Sequence, residues 1–73
     1  MQTTGIESIA KGVEISAQSK ISFQDAIERG VERANETLKN IRGAWIKEQE
    51  VCVEDGKIVA HRVIMKVTFV LDE

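Results

Sequence analysis

Few side chains in this 73-residue sequence could do chemistry. His61, Cys52 and Trp45 are each the single example of their type, and Glu48, Glu50 and Glu54 bring carboxylates together at even positions of one segment. A lone cysteine forms no intrachain disulfide, and one cysteine with one histidine falls short of the four ligands of a structural zinc site. A nucleophile needs an adjacent base. Ser8, Ser16, Ser19 and Ser22 have only His61 to turn to, and the strand pattern described below places His61 on a core face. No glycine-rich phosphate loop is present. These residues predict a protein that is not an enzyme. The glutamates admit two readings: oxygen ligands for a hard cation such as calcium, or charges that keep an exposed strand from pairing with other chains.

The rest of the composition narrows the class. Hydrophobic residues make up 42% and charged residues 30% of the chain, with a formal net charge of -2, a globular balance. Lys and Arg are scattered, without the basic stripe of a nucleic-acid-binding face, and no apolar run approaches the ~18 residues of a membrane span. The first residues, Met1-Gln2-Thr3-Thr4-Gly5, have neither a basic region nor an apolar core, so neither a secretory signal nor a membrane partner is expected and the expected location is cytoplasmic. A chain this short buries only about 60% of its unfolded surface. With disulfides and zinc excluded, partner subunits are the stabiliser left, and a homo-oligomer is expected.

The elements that must position these residues can be read in order. Residues 1–5 read as a flexible polar N-terminus and 6–73 as a single domain. Alternation from Ile6 to Ser16 predicts a strand with Ile9, Lys11, Val13 and Ile15 on one face. Gln18-Ser19-Lys20 reads as a turn, and Ser22 as a helix N-cap with Asp25 completing an approximate capping box. Phe23, Ile27, Val31, Ala34, Leu38 and Ile41 form one stripe of a 3.6-residue helix, with Gly43 as its stop signal. Asp25–Arg29 and Glu36–Lys39 are spaced to pair on its opposite side. Gly30 lies in mid-helix, where a close backbone contact would account for it.

Asp55-Gly56 signals a two-residue type I′ hairpin turn. If Glu54 faces Lys57, partners sum to 111, pairing Ala44 with Val67, Trp45 with Lys66, Ile46 with Met65 and Gln49 with Arg62. In the last strand Val59, His61, Val63, Met65, Val67, Phe69 and Leu71 form the face that covers the helix. The expected architecture is α+β, in the order β-α-β-β, with a three-stranded antiparallel sheet of order 1-3-2 wrapped around one helix. The face away from the helix would carry Trp45, Val51, Val53, Ile58, Ala60, Ile64 and Val70 with Arg62 and Lys66. An apolar patch of that size marks an interface, and Lys66 or Arg62 could lie against the Trp45 ring.

Val13-Glu14-Ile15, Ser19, Ser22, Ala26-Ile27, Ala34, Thr37-Leu38, Val53-Glu54-Asp55-Gly56-Lys57 and Val63-Ile64-Met65-Lys66-Val67-Thr68-Phe69 together resemble the dodecin family over roughly residues 10–72. The resemblance implies the same sheet wrapped on one helix, a hollow dodecameric shell, and storage of riboflavin or FMN stacked on tryptophan. The stacking tryptophan of the family falls on Gly43 and its flavin-contacting glutamine on Arg62. Trp45 lies about 6–7 Å further along the strand. Asn40-Ile41-Arg42-Gly43-Ala44 and Arg62-Val63 are similar to the flavin-poor branch, the calcium dodecins. The expected site is therefore Trp45 as aromatic wall and Arg62 as polar or phosphate contact for a flavin. The alternative is an assembly that binds a divalent cation or no specific ligand.

Overall fold

The computed structural model describes residues 10–71; the expected flexible N-terminus and the first residues of the expected strand lie outside them. Four elements follow in order: β1 (Ala10–Ser19), α1 (Phe23–Ala34), β2 (Ile41–Glu54) and β3 (Lys57–Val70). The sheet is antiparallel in the order β1-β3-β2, as the sequence implies.

β1 continues through the expected turn as far as Ser19, pairing Gln18 with Arg62 and Ser19 with His61. Ser19 is what makes the turn that follows. Its buried hydroxyl accepts from the backbone N–H of Ile21 at 2.9 Å and donates to Asp25 Oδ2 at 2.6 Å. Ser22 then caps the helix, its hydroxyl accepting from the Asp25 N–H at 2.9 Å. The reciprocal half of a capping box is not made, because Asp25 is committed to Ser19 and to Arg29 Nε at 3.0 Å.

The helix ends at Ala34, well before Gly43. Glu36 N–H reaches Arg33 O and Thr37 N–H reaches Ala34 O, both at 3.1 Å, so the last turn tightens to i→i+3 bonds. Asn40 then reverses the chain at φ 62°, a left-handed conformation that Asn tolerates. Leu38 and Ile41 still pack on the core from the turn and from β2; their apolar spacing survives although the helix does not. Gly43 sits within β2, opposite Thr68. The expected Glu36–Lys39 pair is replaced by Arg33–Glu36 at 3.5 Å.

The core is small. Ala26, Ala34, Val63, Met65 and Val67 are buried together, flanked by Ile15, Ala17, Phe23, Ile27 and Val31. Gly30 lets the helix settle on the sheet: a Cβ there would run into the Met65 methyl and come within 3.1 Å of Ala17 Cβ.

Asp55 and Gly56 take φ of 52° and 76°, the paired positive values of a type I′ turn. The hairpin register departs from a constant sum in the middle, and again at its open end, where Arg42 is extra and Ile41 pairs with Phe69. It runs as expected at Glu54–Lys57 and Val53–Ile58 and again from Ile46–Met65 to Gly43–Thr68. In between, Cys52 pairs with Ala60, Glu50 with Arg62, Gln49 with Val63 and Glu48 with Ile64. Val59 is the extra residue on β3 at one end of this window and Lys47 the extra residue on β2 at the other. A bulge re-phases the strand that carries it. Beyond Lys47, β2 therefore turns Gln49, Val51 and Val53 to the helix side with Ala44 and Ile46, and Glu48, Glu50, Cys52 and Glu54 to the side of Trp45. Ile58 follows its partner Val53.

Candidate functional site

The outer face of the sheet, away from the helix, is thus not the apolar patch that strict alternation implies. Val51, Val53 and Ile58 leave it, and the three glutamates of β2 join Trp45 on it. The outer side chains are arranged in rows across the strands. Gln18, Arg62 and Glu50 form one; Ser16, Ile64 and Glu48 the next; then Glu14, Lys66 and Trp45; then Gly12, Thr68 and Gly43.

Two ionic contacts tie the face together. Arg62 spans all three strands, donating from Nε at 3.2 Å and Nη2 at 3.1 Å to Gln18 Oε1, and from Nη1 to Glu50 Oε1 at 3.1 Å. Lys47, the bulged residue, reaches over β3 to Glu14 Oε2 at 2.9 Å. That hydrogen bond first, and the negative charge of Glu14 with it, raise the Lys47 ammonium above its ordinary pKa. A raised pKa in the folded state means that the contribution is present at neutral pH and fades only as pH climbs past the usual lysine value of about 10.4.

Trp45 stands apart from both contacts. It is 71% exposed, although indole is a large apolar surface. Neither expected cation is placed on its ring: the Lys66 stem lies over Gly12, where a Cβ would collide with it, and Arg62 is held by Gln18 and Glu50. Beside Trp45 the strand has no side chain at Gly43, and Thr68 Oγ1 donates to the Gly43 carbonyl at 3.2 Å.

The structure does not bring the two expected site residues together within one chain. Trp45 is opposite Lys66, and Arg62 lies four residues further along β3, about 13 Å by strand rise. The expected acidic cluster is also looser than a metal site. Glu48, Glu50 and Glu54 share a face, but among the described residues no group of three His, Cys, Asp or Glu side chains gathers closely enough to hold an ion.

Of the remaining reactive types, His61 is engaged and Cys52 is a free thiol. His61 Nδ1 lies 3.2 Å from the Ser19 carbonyl, and its ring meets Phe23 edge-on at 5.1 Å between centroids, so it serves packing as the core-face position implies. Cys52 is half-buried opposite Ala60. The expected Asp25–Arg29 pair is made, but sequence reasoning missed that Ser19 extends it into a chain of hydrogen bonds through Asp25. The Ser-x-x-Ser-x-x-Asp spacing was its signal, and reading Ser19 only as a turn residue hid it.

A three-stranded antiparallel sheet curled on one helix, with an exposed tryptophan on its open face, defines a class of small α+β proteins. Comparison with known proteins places the chain within that class. The dodecin family model matches residues 9–72, and the chain belongs to the dodecin family. It is 29% identical to the calcium dodecin of Mycobacterium tuberculosis over 62 residues, covering 85% of this chain and 87% of that protein. Its fold is similar to the dodecin from Streptomyces davaonensis at 32% identity and a TM-score of 0.86, covering 93% of this chain and all of the other. The crystal structure of the M. tuberculosis calcium dodecin, described as having a novel calcium-binding site, aligns at 28% identity and a TM-score of 0.76 over 89% of this chain and 93% of its own.

Proposed function

We propose that this protein is a homo-oligomeric binding protein, a dodecamer as the family resemblance implies, that sequesters a flavin such as FMN or riboflavin without turning it over. The observation that carries the reading is the exposed Trp45 beside the bare backbone of Gly43. A planar ring laid against the indole buries apolar surface on both partners and gains offset stacking, worth about 0.5–1.5 kcal/mol beyond area. The ~13 Å between the Lys66 row and Arg62 suits an extended ligand, with its ring at Trp45 and its phosphate at the guanidinium. Arg is a donor-only group and pairs well with a phosphate.

Titration of the purified protein with FMN and with riboflavin, followed by the fluorescence of Trp45, tests this. Saturable quenching is expected, with FMN bound more tightly than riboflavin. Arg62→Ala should erase that difference and Trp45→Ala should abolish binding. Equal binding by wild type and Trp45→Ala would remove Trp45 from the site.

A second reading is favoured by the likeness to calcium dodecin: a shell of the same fold that binds a divalent cation. Glu48, Glu50 and Glu54 share the outer face, and carboxylates converging from neighbouring subunits would complete the several oxygen ligands that calcium takes. Calorimetry with calcium on wild type and Glu48→Gln tests it. Saturable heat lost in the variant supports the cation, and no heat in wild type rejects it.

A further inference from the structure

The guanidinium of Arg62, the phosphate contact in the flavin reading above, already holds an anion. Nη1 donates to Glu50 Oε1 at 3.1 Å, while Nε and Nη2 share Gln18 Oε1 at 3.2 and 3.1 Å. A guanidinium carries five N–H donors; three are engaged here and two remain. The ion pair stands at the surface, with the Arg62 side chain 43% exposed and that of Glu50 63%. A phosphate therefore reaches the guanidinium without disturbing the fold, and it meets a carboxylate on arrival.

The register of the hairpin puts that carboxylate there. A constant sum would place Gln49, a neutral amide, opposite Arg62. The extra residue Val59 brings Glu50 opposite Arg62 instead. Gln18, the partner from β1, is neutral, so Glu50 is the only anion on Arg62 among the described residues.

We propose, resting on the flavin reading above, that Glu50 is a specificity-determining residue of that site: it competes with the ligand phosphate for Arg62 and so sets how far FMN is preferred over riboflavin. A phosphate monoester carries about −1.5 to −2 charge at pH 7. With Glu50 in place, the phosphate either shares one cation with a second anion or displaces the carboxylate into water. The side chain of riboflavin ends in a neutral hydroxyl, which accepts from Arg62 or donates to Glu50 and meets neither cost. Glu50 thus holds the two ligands closer in affinity than Arg62 alone would, and the site takes up flavin in both its phosphorylated and its free form.

Fluorescence titration of the assembled protein with FMN and with riboflavin tests this, comparing wild type with Glu50→Gln. The variant keeps the shape and an accepting oxygen and loses the charge. FMN affinity should rise about fivefold, the upper end for an exposed ion pair, with riboflavin affinity unchanged within about twofold. Glu50→Asp keeps the charge and should keep the wild-type ratio. Salt screens exposed charges, so the FMN gap between wild type and Glu50→Gln should narrow as salt is added, which a change in packing would not produce. In an Arg62→Ala background Glu50→Gln should bring no gain for FMN, because no cation is left to compete for. Glu50→Ala takes the place of Glu50→Gln should that variant not fold by circular dichroism. A wild type that binds neither flavin would overturn the flavin reading and this role with it. A wild type that binds both, with a ratio unmoved by Glu50→Gln or with both affinities moved together, would overturn the role of Glu50 alone. A gain that persists without Arg62 would overturn the competition.

Discussion

Gly30 sits buried in mid-helix, where α1 meets the sheet at Met65 and Ala17. Its position in mid-helix signals a cost of about 1 kcal/mol against alanine, and therefore a reason for being there, but not what that reason is. The structure supplies it in Met65 and Ala17, which leave no space for a Cβ. Two effects then compete in Gly30→Ala. Helix propensity favours alanine by about 1 kcal/mol, and overpacking opposes it by about 1–3 kcal/mol. The flexible Met65 methyl can move, but Ala17 belongs to a paired strand and moves less. The expected net result is a loss of about 1 kcal/mol, measured by urea denaturation at fixed protein concentration. Trp45 was legible as the one aromatic group off the core. The commitment of Arg62 to Gln18 and Glu50 was not, because it depends on which residues stand opposite each other across two strand pairs.

At the scale of elements, the type of each one was readable and its limits were less so. The helix start followed from Ser22. Its end did not, because the apolar spacing of Leu38 and Ile41 is shared by a helix and by a turn that folds back over the same core. The hairpin was fixed by Asp55-Gly56, where two consecutive positive φ values demand the residues that accept them. Gly56→Ala places a Cβ at φ 76° and should cost about 1 kcal/mol, the strain of a non-glycine residue held left-handed, without altering any contact, since nothing lies within 4 Å of that Cβ. Thermal melting of this variant checks it. A larger loss would mean that the turn makes contacts in the assembled protein. Register within the hairpin was readable next to the turn and from Gly43 to Ile46. Val59 and Lys47 each insert one residue, on opposite strands, so that the two errors cancel and the constant sum returns from Ile46 to Gly43 before Arg42 shifts it again at Ile41.

At the scale of the whole molecule, the short chain has a small core and a long hairpin with little to cover it. Among the described residues, Ala26, Ala34, Ala60, Val63, Met65 and Val67 are the buried apolar ones, half of them alanines that bury little. The arms of the hairpin are 14 residues each, about 46 Å, against a helix of 12 residues, about 18 Å; among the described residues, β2 is paired with β3 but most of its side chains are exposed. Stability that depends on association follows mass action. The midpoint of thermal unfolding is therefore expected to rise by several degrees for each tenfold increase in protein concentration. A midpoint independent of concentration would show that the single chain is stable unaided.

The bulge at Lys47 has a consequence for curvature. It is one residue too many, and so is Val59: deleting either would leave every other partner in the hairpin facing the neighbour it has now. What each bulge adds is local twist, and twist in an arm sets the direction in which its tip points. A closed particle tolerates little error in that direction, because a small angular change at every contact accumulates around a ring until the ends no longer meet. The two inserted residues thus bear on the direction in which the hairpin arm points, and Lys47 adds to that its ion pair with Glu14 across the sheet.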